Sequence, residues 1–104
     1  MKPPYYAVIF TSQLSDDSSG YAQMADKMMQ LAKKQQGFIA VDTARESIGI
    51  TVSYWESLEA IANWKKQTDH LLAQKLGNEK WYKNYTVRIC KVEREYSKNC
   101  TGLP

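Results

Sequence analysis

Two strand-like runs, Phe38–Ala44 (FIAVDTA) and Ile48–Trp55 (IGITVSYW), are separated only by Arg45, Glu46 and Ser47. A parallel pair needs a crossover of a dozen or more residues, so a gap this short demands an antiparallel hairpin. The rest of the chain must pack around that hairpin. Upstream, Tyr5–Thr11 (YYAVIFT) is rich in aromatic and β-branched residues and reads as a strand. The polar run from Ser12 to Gly20 reads as a turn-rich loop able to cap a helix. Tyr21, Met24, Met28, Leu31 and Ala32 then share one face of an amphipathic helix reaching about Gln35, and Gly37 ends it.

Beyond the hairpin, Ser57 is placed to cap a second helix from Leu58 to about Lys66. Thr68 or Asp69 is placed to cap a further helical piece, His70 to Leu76, closed by Gly77. Trp81 and Tyr82 fall in a short connector, Tyr85–Tyr96 reads as a long last strand, and residues 97–104 read as a tail. The order is β-α-β-β-α-β, the ferredoxin-like arrangement of an α+β domain. At 104 residues the chain is one domain, 1–104, with its core within about 5–96.

Charge and composition narrow the partners. A net charge of +3, with basic and acidic residues interspersed, gives no nucleic-acid footprint. No apolar run approaches the roughly 20 residues of a membrane span. Met1-Lys2-Pro3-Pro4 leads into a strand without the layout of a signal peptide, so a cytoplasmic protein is expected. Cys90, in a strand-like run, and Cys100, in the tail, are expected as free thiols, and neither has a metal-ligand partner at a usable spacing.

Alternation adds a partner of another kind. In the last strand Val87 and Ile89 share one face, while Cys90 and Val92 share the other. In the third strand Ile48, Ile50, Val52 and Tyr54 oppose Gly49, Thr51, Ser53 and Trp55. Both faces of the sheet carry apolar groups, and two helices cover only one. A second copy of the same sheet is the economical cover, so a homodimer is expected.

The residues Ser53-Tyr54-Trp55 run into a helix carrying Trp64, which gathers three large rings near one strand-to-helix corner. Such a corner either fills a core or lines a pocket for a flat molecule. The reading of this corner as a pocket takes Tyr54, Trp55, Trp64 and His70 as its lining, with Arg88 beside them.

The ordered set Gln36-Gly37-Phe38-Ile39-Ala40-Val41, Ser53-Tyr54-Trp55 through Trp64-Lys65, Asp69-His70 with Ala73-Gln74, and Trp81-Tyr82-Lys83-Asn84-Tyr85 with Arg88 and Val92-Glu93-Arg94-Glu95-Tyr96 resembles the antibiotic biosynthesis monooxygenase family. The resemblance covers roughly Tyr6 to Tyr96. It implies a dimeric α+β barrel of ferredoxin-like protomers, each with a pocket between sheet and helices. Some relatives oxygenate polycyclic phenols to quinones without metal or flavin, and others bind and degrade heme. By this resemblance His70 and Trp64 are the catalytic candidates. Tyr54, Trp55, Trp64 and Arg88 are the binding candidates for a small aromatic ligand, with no metal and no cofactor. Heme or another hydrophobic ligand is the alternative, and a non-catalytic dimeric module the third reading. Ala60 stands where phenol-oxidising relatives carry an Asn one helical turn before the pocket Trp. Gln74 stands where the heme-degrading ones carry the His that ligates iron.

Overall fold

The computed structural model describes residues 2–75 and 81–98, the side chains of 70–75 excepted. Along the chain run β1 (Tyr5–Leu14), α1 (Tyr21–Lys33), β2 (Phe38–Arg45), β3 (Gly49–Trp55), α2 (Leu58–Lys75) and β4 (Tyr82–Val92). The strands form one antiparallel sheet in the order β2-β3-β1-β4. This is the ferredoxin-like βαββαβ topology, with the Arg45–Gly49 hairpin where the short gap demanded it.

Three boundaries differ from the sequence reading. β1 runs on to Leu14 through residues expected as loop, because Ser12 and Gln13 continue the ladder opposite Tyr85 and Asn84. The Asn84 amide also donates to Gln13 Oε1 at 2.8 Å. β4 correspondingly starts at Tyr82 and stops at Val92, and residues 93–98 leave the strand. α2 is one helix through Lys75, without the break expected near Thr68. The buried Thr68 hydroxyl turns back onto the Lys65 carbonyl at 3.0 Å instead of capping a new helix. A Lys65–Asp69 pair at 2.8 Å bridges the same turn. Gly77 and Cys100 lie outside the described residues.

The helix starts rest on different chemistry. Ser57 Oγ accepts the Ala60 backbone N–H at 3.1 Å, the expected cap of α2. α1 starts without a side-chain cap, from Gly20 at φ 85°. Asp17, which could have served, takes the Ser19 hydroxyl at 2.7 Å instead.

Both helices pack on the sheet face that carries Val8 and Trp55. Val8, Ala32, Trp55, Ala60 and Ile61 form the buried cluster, flanked by Tyr6, Phe38 and Trp64. Met24 and Ala32 are the buried pair of the α1 stripe. Gly37 closes the seam between the α1 exit and α2. At φ 90° it occupies a conformation that disfavours a side chain, and an added Cβ there would stand 2.6 Å from the Ala60 Cβ. Gln35 and Gln67 lock the same seam with a reciprocal pair of amide bonds at 2.9 and 3.1 Å.

Candidate functional site

Trp55 ends β3 on the helix-facing side and is wholly buried, with no exposed surface. Phe38 meets its ring edge-on at 5.4 Å, and Trp64 lies tilted against it at 5.1 Å. Its indole N–H donates to the buried Ser53 hydroxyl at 2.9 Å. Trp55 is therefore core, a filled position rather than the pocket wall the sequence suggested. Trp64 is only half-buried, yet its indole nitrogen is shut off from solvent and has no hydrogen-bond partner among the described residues. A buried N–H left unmade costs about 1–3 kcal/mol. An acceptor brought in by a ligand would recover that cost.

The remaining expected pocket residues do not join it. Tyr54 alternates to the opposite face of the sheet. There it packs edge-on against Tyr5 at 6.0 Å and donates to Asp42 at 3.4 Å. Burial and the Asp42 carboxylate both push its phenol upward from the ordinary value. Arg88 pairs with Ile9 across β1 and β4, on that same outer face, and is exposed. His70 belongs to α2, but its side chain lies outside the described residues. The five residues thus divide. Trp55 and Trp64 touch on the helix side, whereas Tyr54 and Arg88 sit behind the sheet.

At the other end of the helix-facing side lies a cluster that sequence reasoning missed. The Arg45 guanidinium crosses the sheet to donate from Nη2 to Ser12 Oγ at 2.5 Å and to Tyr21 Oη at 3.4 Å. It also stands 5.4 Å from the Tyr21 ring centroid, within cation–π range. Gly49 makes this crossing possible, because a Cβ there would collide with the guanidinium. Tyr21 meets Tyr82 edge-on at 5.7 Å, and Phe10 packs on both Tyr82 (5.5 Å) and Tyr85 (5.6 Å). Burial pushes the Tyr82 phenol well up, its contact with Tyr21 adds to the rise, and Arg45 opposes it. Trp81 fastens the region: it is buried, donates to the Ser19 carbonyl at 2.8 Å, and accepts Ser15 N–H at 2.8 Å. The one signal in the sequence was a glycine inside a strand, paired with an arginine just before the turn.

An uncovered strip joins the two ends. Tyr85, Val87 and Ile89 pair with Ser12, Phe10 and Val8, so they share the helix-facing side, yet each is 46–50% exposed. The helices cover β2 and β3 more fully than β4. Their strip is an apolar floor, and Val8 belongs to the cluster against which Trp64 packs. An open groove of about 390 Å³ lies at the hairpin turn, lined by Ala44, Arg45, Glu46, Ser47, Ile48 and Ile50. Among the described residues, no group of His, Cys, Asp and Glu could hold a metal ion.

No family model matches the sequence. YqjZ of Bacillus subtilis, itself uncharacterised, is 47% identical over 96 residues, covering 90% of this chain and 84% of its own. SnoaB, a cofactor-independent oxygenase from Streptomyces nogalater, superposes with a TM-score of 0.75 over 92% of this chain and 100% of its own, at 9% identity. A candidate antibiotic biosynthesis monooxygenase from Nitrosomonas europaea superposes with a TM-score of 0.71, over 88% of this chain and 93% of its own, also at 9% identity. At such identities the likeness is one of fold. The chain belongs to the family of YqjZ, and its fold is that of the antibiotic biosynthesis monooxygenases.

Proposed function

We propose that the protein oxygenates a small aromatic phenol without a cofactor, on the helix-facing side of the sheet beside Trp64. The observation that carries this reading is the Trp64 indole N–H, buried and without a hydrogen-bond partner among the described residues, in a cluster whose Val8 pairs with Ile89 of the apolar strip. A phenolic ring entering over Ile89 and Val87 would have to displace the side chains that cover this donor before its oxygen could accept from it. SnoaB, with the same fold, is a cofactor-independent oxygenase.

The chemistry asks little of the protein beyond desolvation and orientation. A phenolate passes one electron to dioxygen, and the two radicals combine into a carbon–oxygen bond. The resulting hydroperoxide loses water to give a quinone. One oxygen atom of O2 ends in the quinone and the other in water, so no external reductant is consumed. In this reading Trp64 donates to the substrate oxygen and His70 takes the phenolic proton. The heme alternative would turn on His70, whose side chain lies outside the described residues.

The outer face is proposed to meet a second copy of the chain. Ile50 on that face is 45% exposed and Ile48, at the hairpin, 52%. Tyr54 and Arg88 would then serve the dimer rather than the pocket. A dimer mass at micromolar concentration is expected, and a monomer mass overturns this part.

Oxygen consumption with 1-naphthol, a phenol whose para carbon is free to take the oxygen, tests the reaction, with label from 18O2 expected in the quinone. The proposal expects quinone formed one-for-one with oxygen consumed, with the rate falling at least tenfold in Trp64→Phe, which keeps a ring but removes the N–H. A rate unchanged in both Trp64→Phe and His70→Ala excludes this site.

A further inference from the structure

We infer that Arg45 holds the carboxylate of an aromatic acid, so that the ligand of this protein is an aryl carboxylate lying on the Phe10–Tyr85 rings. Three observations converge on this assignment. First, Arg45 makes no ion pair with any carboxylate among the described residues, including its neighbour Glu46. Second, both of its hydrogen bonds leave from Nη2, so Nη1 and Nε have no partner among the described residues. A planar guanidinium with donors to spare is the side chain best matched to a carboxylate. Third, the charge is held in place. The buried Ser12 hydroxyl, the Tyr21 ring and the missing side chain at Gly49 fix it against the sheet.

The surroundings select an aromatic partner over a phosphate or a free inorganic anion. Phe10, Tyr21, Tyr82 and Tyr85 are all in ring contact within the cluster. A single guanidinium over one ring of an aromatic cluster suits one two-oxygen anion attached to a flat apolar body. The uncovered strip Tyr85–Val87–Ile89 gives that body a floor.

The inference rests on the oxygenase reading only for the aromatic character of the ligand, and binding alone tests it. The probes are 4-hydroxybenzoate and its methyl ester, which share ring and phenol and differ in the charge. Titration calorimetry on the full chain is expected to show the acid binding at least about tenfold tighter than the ester, as one added charge-assisted contact implies. Arg45→Met should abolish the preference and Arg45→Lys should restore part of it. Gly49→Ala keeps the charge but displaces it from Ser12, so it too should weaken the acid and spare the ester. Equal affinities in the wild-type chain, no binding of either probe, or a preference that survives Arg45→Met each overturns the inference. A preference without oxygen consumption leaves this inference standing and defeats the oxygenase reading. Oxygen consumption that ignores the carboxylate does the reverse.

Discussion

The Trp55 corner and the Tyr82 cluster are built from the same material and put it to different uses. At the first, two indoles and a phenyl ring interlock with a buried serine, and Trp55 loses all its exposed surface. At the second, three phenols and a phenyl ring contact one another, and the guanidinium over the Tyr21 ring keeps donors that have no partner among the described residues. Ring density by itself therefore does not mark a site. What separates the two is whether the polar atoms among the rings are already satisfied. By that measure the corner is closed apart from the Trp64 nitrogen, and the cluster is open at Arg45.

The comparison breaks most directly under truncation. Trp55→Ala should cost about 3–5 kcal/mol in denaturant unfolding, as for a fully buried large ring. Phe10→Ala, at a half-buried position in the open cluster, should cost clearly less. Equal losses would mean that both ends are core.

The two left-handed glycines sharpen it next. Gly37→Ala should cost about 1–3 kcal/mol, since it adds backbone strain to the collision with Ala60. Gly20→Ala meets similar strain, but its Cβ would stand at an ordinary 3.6 Å from the Trp81 ring, so its cost should lie at the lower end. A reversed order would place the tighter packing at the Tyr82 end.

The smallest effect concerns pH. The Tyr82 phenol is raised in the folded protein above its ordinary value of 10.0. In the unfolded chain it ionises near 10 while the folded chain keeps its proton. Its stabilising share is thus full below pH 10 and is lost as pH climbs above it. Tyr82→Phe should flatten part of that loss when unfolding is compared at pH 9 and pH 10.5. Tyr5 and Tyr54, raised chiefly by burial on the outer face, act with the same sign, so a residual slope should remain. Trp55 and Trp64 carry no titrating group, and a substitution there should leave the slope alone.

Most of the fold was legible because its signals are local. The three-residue gap at Arg45-Glu46-Ser47, the α1 stripe, the Ser57 cap and the Gly37 stop each act within a few positions. The misplaced boundaries needed a partner strand to be seen. Ser12 and Gln13 look like loop until Tyr85 and Asn84 are laid beside them. The site was harder for the same reason. Tyr54 and Trp55 are adjacent in sequence, but pleating sends them to opposite faces. Arg45 finds Ser12 across 33 positions of chain, a contact that no spacing rule within one element announces.

The seam between Gly37 and Ala60 bears on how this lineage can change. With so little room between the α1 exit and α2, residue 37 cannot gain a side chain while Ala60 stays where it is. The two positions should vary together among relatives of YqjZ, a small residue at 60 accompanying the glycine at 37, so that a bulkier helix turn would go with a remodelled loop.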